Sequence, residues 1–303
     1  MSAFVQNNNT AIPAKAWWAL AGTSILWGTT WVASRIGVQD VPGLQVAYIR
    51  QFIAGSIWVG YFLWRGEKIP GIKTMCWLLM MSFFIFVLAN GMSTWSVHYI
   101  SSGLGALIGA LYPLSVALLE MVLYKNSGKP LTWIGLLVGI SGVGIVFYEN
   151  TFHAQPEGYG FGILLGMIAM VAWSGGTLIL SKNKVDINPY YAIGWQMLLG
   201  SILLFILSHG TGNYIAIQEI PLKTWGAIAY LVSVGSIVAF SAFIYSIKYL
   251  PQAIASLYAY INPLVAMVIG FFLLHEPFTI NLLIGSIVTL LGVYLVNRSL
   301  KKG

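Results

Sequence analysis

Long apolar runs separated by short polar stretches make up almost the whole chain. Ten runs approach or exceed the roughly 20 residues that a helix needs to cross a bilayer: 16–38, 44–64, 74–97, 103–124, 131–149, 159–181, 190–208, 224–247, 252–274 and 279–297. The stretches between them are short, and even the longest, 209–223, has only the length of a loop. The pattern predicts an all-α membrane protein with ten transmembrane helices and no soluble domain.

The runs repeat. Ser96 to Pro113 returns 150 positions later as Ser246 to Pro263, with Tyr99 meeting Tyr249, and Gly135 and Gly142 meet Gly285 and Gly292 at the same offset. Trp27 meets Trp173 and Asp40 meets Asp186 at offset 146. The chain therefore divides into a polar tail over 1–15, a first five-helix repeat over 16–149 and a second over 159–297, forming one membrane domain. Consecutive spans alternate direction, so five spans per repeat place the second repeat upside down relative to the first. Inverted-topology repeats are a recurring architecture of secondary transporters, with substrate held near the midplane between the halves.

Composition agrees with a lipid environment. The chain is 58% hydrophobic and 8% charged, against about 25% charged residues in a soluble domain. Its pI near 9.4 would suggest nucleic acid in a soluble protein. Here the basic residues sit at the ends of apolar runs and act as topology determinants instead. With the N-terminus in the cytoplasm, twelve of the fifteen Lys and Arg fall on inner segments and only Lys223 on an outer loop. That bias predicts a multi-pass protein of the inner membrane with both termini cytoplasmic. The N-terminal stretch lacks the features of a cleaved signal, so the first helix is expected to be retained. Cys76 stands alone in the sequence and forms no intrachain disulfide.

The chemistry available inside the spans is sparse. Pro113 and Pro263 each free a backbone carbonyl four residues earlier, at Gly109 and Ala259. They are either static kinks or paired hinges, one per half. Tyr112, Tyr258, Tyr260 and Asn262 lie beside them. Glu120 is the acidic residue inside a span, and an intramembrane carboxylate is a functional candidate by default. It is either a proton-coupling group or an interfacial residue paired near Lys125. Arg35 and Arg50 lie in the outer third of the first two spans. Either Arg50 ties loop and helix ends together through carbonyls, with Asp40 in the intervening loop as a candidate partner, or one of the two arginines clamps a substrate carboxylate or phosphate through its planar fork. Trp27, Trp95, Trp173 and Tyr245, with Asn90 and Gln196, complete the candidate cavity lining. The pairs Gly105/Gly109, Gly135/Gly139 and Gly162/Gly166 suit close helix packing, whether within the bundle, in a sliding contact or in a dimer seam. An embedded enzyme would need clustered His, Asp, Glu or Cys within the spans, and only Glu120 is there. No metal-binding, nucleophile or phosphate-loop motif occurs, and no cofactor is expected.

Leu26-Trp27-Gly28, Arg50, Ala106 to Pro113, Asn262-Pro263, His275-Glu276-Pro277, Gly285 and Gly292 together carry a resemblance. The chain resembles the ten-helix EamA-type members of the drug/metabolite transporter superfamily, over nearly its whole length. That resemblance implies two inverted five-helix repeats around a central cavity and export or exchange of small metabolites without ATP. The turn after the fourth span departs from the family's acidic pattern, reading Lys125-Asn126-Ser127-Gly128-Lys129, whereas the corresponding turn in the second half keeps Glu276. The expected function is export of amino acids or related small metabolites. The alternatives are export of drug-like or cationic amphipathic compounds, or an embedded enzyme acting on a lipid-linked substrate. Expected partners are a small-molecule substrate, the lipid bilayer and, in a coupled mechanism, protons. No nucleic acid is expected, and the protein is read as a monomer or homodimer.

Overall fold

The computed structural model describes residues 12–125, 128–151, 156–183, 185–255 and 257–301. Most of the N-terminal tail, His153, Lys184, Lys302 and the centre of the turn at Asn126-Ser127 lie outside the described residues. Within them the chain is helical and has no strand. In order come α1 (Ala14–Gly37), α2 (Gly43–Trp64), α3 (Ile72–Ser96), α4 (Ser102–Ala110), α5 (Tyr112–Tyr124), α6 (Pro130–Thr151), α7 (Tyr159–Lys182), α8 (Pro189–Gly210), α9 (Leu222–Tyr249), α10 (Gln252–Ala255), α11 (Tyr258–Leu274) and α12 (Ile280–Lys301).

Local chemistry starts several of these helices. The Ser101 hydroxyl accepts from the Leu104 N–H at 3.2 Å, and Asn188 Oδ1 accepts from the Tyr190 N–H at 3.0 Å. Pro189 and Pro130 sit in first turns, where a missing N–H costs no hydrogen bond. Two turns end in matching left-handed residues, Lys125 (φ 50°) after α5 and His275 (φ 51°) after α11.

Among the described residues, seven helical stretches are long and apolar enough to cross a membrane: α2, α3, α4 with α5, α7, α8, α9 and α12. The apolar parts of α6 and α11, Pro130–Val146 and Tyr258–Leu274, are shorter. Helix α1 has the length, at 24 residues, but buries Thr23, Ser24, Thr30 and Ser34 against other helices. A helix enclosed by protein does not need a uniformly apolar surface.

Packing follows the repeat. Helix α2 packs along its repeat mate α8, and α6 along its mate α12. Helix α1 packs against α9 and α11, while its mate α7 packs against α3, α4 and α5. These two pairings exchange under the internal repeat. Glycine makes the mate contacts possible. A Cβ on Gly285 would stand 2.6 Å from the Gly142 carbonyl, and one on Gly135 would stand 2.8 Å from the Gly292 carbonyl. The other two sequence glycine pairs are also used within the chain: Gly105 and Gly109 seat the Trp31 ring, and Gly162 and Gly166 seat Tyr99 and Ser96.

Two features break helical regularity. The fourth predicted span bends at Leu111, so Pro113 lies in the first turn of α5. The ninth bends before Tyr258, and Pro263 sits inside α11, beyond the bend. In addition, α3 and α9 each contain a nine-residue π-helical stretch, Phe83–Gly91 and Leu231–Ala239, at matching places in the two repeats.

Candidate functional site

The π-helical stretches build the centre of the molecule. A widened turn displaces backbone carbonyls from regular i→i+4 pairing, and such turns recur at functional sites. Side chains from other helices fill the displaced positions here. Gln51 Nε2 donates to the Phe86 carbonyl at 3.0 Å and to Asn90 Oδ1 at 3.1 Å. In the second repeat the Trp27 indole donates to the Gly235 carbonyl at 3.3 Å, and the Trp58 indole to the Ser236 carbonyl at 3.2 Å.

A cavity of about 160 Å³ is lined by Ala89 and Asn90 of the first stretch and by Phe240, the residue that follows the second. Of the residues expected to form a site, Trp27, Arg50, Asn90, Tyr112, Trp173, Tyr258 and Asn262 line it, and Thr30, Trp31, Ser34, Thr94 and Phe240 join them. Four pairs of repeat mates face the same space: Trp27 and Trp173, Asn90 and Phe240, Gly109 and Ala259, Tyr112 and Asn262. The cavity thus sits where the two halves meet. The Trp27 and Trp173 rings meet edge-on, with centroids 6.2 Å apart, and Trp27 also packs on Phe240 (5.0 Å) and Tyr258 (5.3 Å).

Asn262 joins α11 to α1. With its amide nitrogen turned toward them, it donates to the Ser24 carbonyl at 2.6 Å and the Tyr258 carbonyl at 3.1 Å. Gly28 makes the approach possible, since a Cβ there would stand 2.6 Å from Val265 Cβ. The Leu26-Trp27-Gly28 segment therefore combines a ring for the cavity with a gap for the crossing helix.

The two arginines separate clearly. Arg35 Nη1 donates to the Val97 and His98 carbonyls, both at 2.6 Å, tying α1 to the end of α3. Arg50 is buried and borders the cavity, its Nε donating to the Ser236 hydroxyl at 2.9 Å. Asp40 is exposed.

Other expected site residues lie elsewhere. Trp95 packs edge-on against Phe161 (5.2 Å) and seats against Gly43. Gln196 is buried on α8, its carbonyl accepting from the Ser82 hydroxyl at 2.6 Å. Tyr245 stacks near Tyr249 with centroids 4.7 Å apart, toward the end of α9. Glu120 is half-buried on α5, outside the cavity lining.

The turn after α11 holds a contact that the sequence did not reveal. Glu276 accepts from the Ser102 N–H at 2.8 Å and the Ser102 hydroxyl at 2.6 Å. A carboxylate at a helix N-terminus satisfies free donors and meets the positive end of the helix dipole. Gly270 leaves the space, for a Cβ there would lie 2.5 Å from Glu276 Oε2. The second repeat thereby clasps the start of α4 in the first. Beside a short turn, a lone Glu gives no sequence signal for a partner 174 residues away.

Two stretches, residues 14–148 and 160–298, match the profile of the EamA-like transporter family. An uncharacterized inner membrane transporter of Escherichia coli strain K12, YedA, is 29% identical over 254 residues, covering 83% of this chain and 80% of its own. The uncharacterized transporter YvbV of Bacillus subtilis is 26% identical over 297 residues, covering 93% and 91%. One solved crystal structure superposes with a TM-score of 0.63 at 15% identity, over 92% of this chain and 95% of its own. At that identity the likeness is one of fold.

Proposed function

Because the chain belongs to the EamA-like transporter family, we propose that it is a secondary or facilitative transporter exporting amino acids or related small metabolites across the inner membrane. The observation that carries this reading is the central cavity lined by repeat-related residues of both halves. A site on such a seam changes its exposure when one half rocks against the other, which is how inverted repeats alternate access. The ten helical passages are read as ten spans with inverted halves and cytoplasmic termini. That orientation puts the Glu276–Ser102 clasp on the outer side. Substrate sits among Trp27, Trp173, Tyr112 and Tyr258. The bends at Leu111 and before Tyr258, one per half, are the hinges, with Pro113 beside the first and Pro263 one turn beyond the second.

Flux of a panel of amino acids and organic acids across proteoliposomes containing the purified chain tests the reading. We expect saturable flux that falls at least tenfold in Trp173→Ala. A chain that inserts with native stability and moves nothing on the panel in either direction would sink it.

A further inference from the structure

Arg50 is 4% exposed, lies within α2 and borders the cavity. Its Nε is held by the Ser236 hydroxyl at 2.9 Å. Its guanidinium lies against Gly235, where a Cβ would come 3.0 Å from Nη2. Among the described residues no carboxylate pairs with it. Asp40, Glu67, Glu157, Asp186 and Glu219 are exposed, Glu120 lies outside the cavity lining, and Glu276 is bound to Ser102. The carbonyls of Gly235 and Ser236 in the π-helical stretch accept from the indoles of Trp27 and Trp58, and the hydrogen bond Arg50 makes to this stretch is through the Ser236 hydroxyl. The fork of Arg50 is therefore positioned by α9 and left without an anion.

Arginine stays protonated in proteins, and a buried cation without a partner is costly. The way to neutralise it is an anion carried by the occupant of the cavity. We propose that Arg50 is the receptor for a single carboxylate on the transported molecule, whose apolar or aromatic body rests on the Trp27, Trp31 and Trp173 rings. This inference rests on the transport reading. The geometry of the fork matches a carboxylate through two parallel hydrogen bonds. One positive charge also balances one negative charge, so a phosphate dianion would leave the site net negative in a medium of low dielectric. Cationic amphipathic compounds meet a like charge and are rejected.

The test uses the full-length chain in detergent and five probes of one shape: phenylacetate, phenylalanine, phenylacetamide, phenethylamine and phenyl phosphate. Thermal stabilisation is read for the parent and for Arg50→Gln, Arg50→Lys and Gly235→Ala. Phenylacetate and phenylalanine should stabilise the parent, the amide and amine should not, and the dianion should bind more weakly. Arg50→Gln should lower carboxylate affinity by roughly thirtyfold or more, with Arg50→Lys intermediate. Gly235→Ala keeps the charge but displaces the fork, and should also weaken the acids. Apo Arg50→Gln should melt no lower than the parent, because the variant removes an unpaired charge. The proposal is overturned if acid and amide bind alike, if phenyl phosphate binds as tightly as phenylacetate, if no probe binds, or if the apo variant is strongly destabilised. Flux separates the two readings. Amide or amine transport that is indifferent to Arg50 would keep the transporter and discard the carboxylate receptor. Arg50-dependent binding of acids without flux of any probe would keep the receptor and discard the transporter.

Discussion

The two ends of the α4–α5 and α10–α11 passages are built from related sequence and are packed differently. At one end α4 lies along α11, and Glu276 closes the contact on Ser102. At the repeat-related end α10 packs on α9 and α5 packs on α7, and among the described residues α10 and α5 are not a packed pair. Both ends carry the same left-handed turn, at His275 and Lys125. The residue after the turn is Glu276 in one and Asn126 in the other. The Glu276 carboxylate satisfies two donors at the start of α4 with full charge. Among the described residues a carboxylate clasp of this kind is found at the Glu276 end. The structure is thus clasped at the end that the proposed orientation places outside.

The α6–α12 contact differs from both of these ends, since mate meets mate through Gly135, Gly142, Gly285 and Gly292 with no such asymmetry. In the proposed rocking motion it is the part against which the two ends move. Gly292→Leu should therefore have the largest effect on stability. Its side chain would enter the backbone of Gly139, and overpacking at a backbone contact costs about 3 kcal/mol or more. Size-exclusion and thermal melting should show loss of a monodisperse folded species. A variant that melts like the parent would mean that the seam is loose and not a fixed reference.

Next comes the clasp itself. Glu276→Ala leaves the Ser102 N–H and hydroxyl without their acceptor, at a cost of about 2–3 kcal/mol for hydrogen bonds to a charged group. The loss falls mainly on the clasped state, so the population should shift toward opening at that end by about thirtyfold or more, at tenfold per 1.4 kcal/mol. In a Cys76→Ser background, Ser34→Cys on the cavity wall reports this as faster reaction with a membrane-impermeant thiol reagent added outside. Labelling unchanged by Glu276→Ala would show that the clasp does not control access. Ser102→Ala removes one of the two donors and should produce the same shift at about 1 kcal/mol.

Much of this arrangement was legible in the sequence, because spans and repeats are signals that accumulate over many residues. Trp27 and Trp173 could be paired as repeat mates before their rings were seen to meet. Direction around a helix was not legible. In lipid both the buried and the exposed faces of a helix are apolar, so the usual amphipathic stripe is absent. Trp95 and Trp27 look alike in sequence, yet one packs on Phe161 at a helix end and the other lines the cavity. Arg35 and Arg50 could not be told apart by position, because both lie in the same third of their spans. Only the carbonyls of Val97 and His98 and the seat on Gly235 assign one to structure and the other to the site. The π-helical stretches had no compositional mark at all.

The two prolines give the smallest and most discriminating prediction. They are repeat mates, but Pro113 starts α5 directly after its bend, where no N–H is required. Pro263 lies within α11, several residues past the bend before Tyr258. If proline created the bends, replacing either should straighten its passage. The position of Pro263 argues otherwise, since α11 runs on through it as a helix. Pro263→Ala should then restore an intrahelical donor and change the melting free energy by less than about 1 kcal/mol, leaving flux and Ser34→Cys labelling close to the parent values. A large change in labelling from Pro263→Ala would instead make the proline the hinge. It would also reduce the difference between the two ends to their helix breakers, and not to the residue that follows each turn.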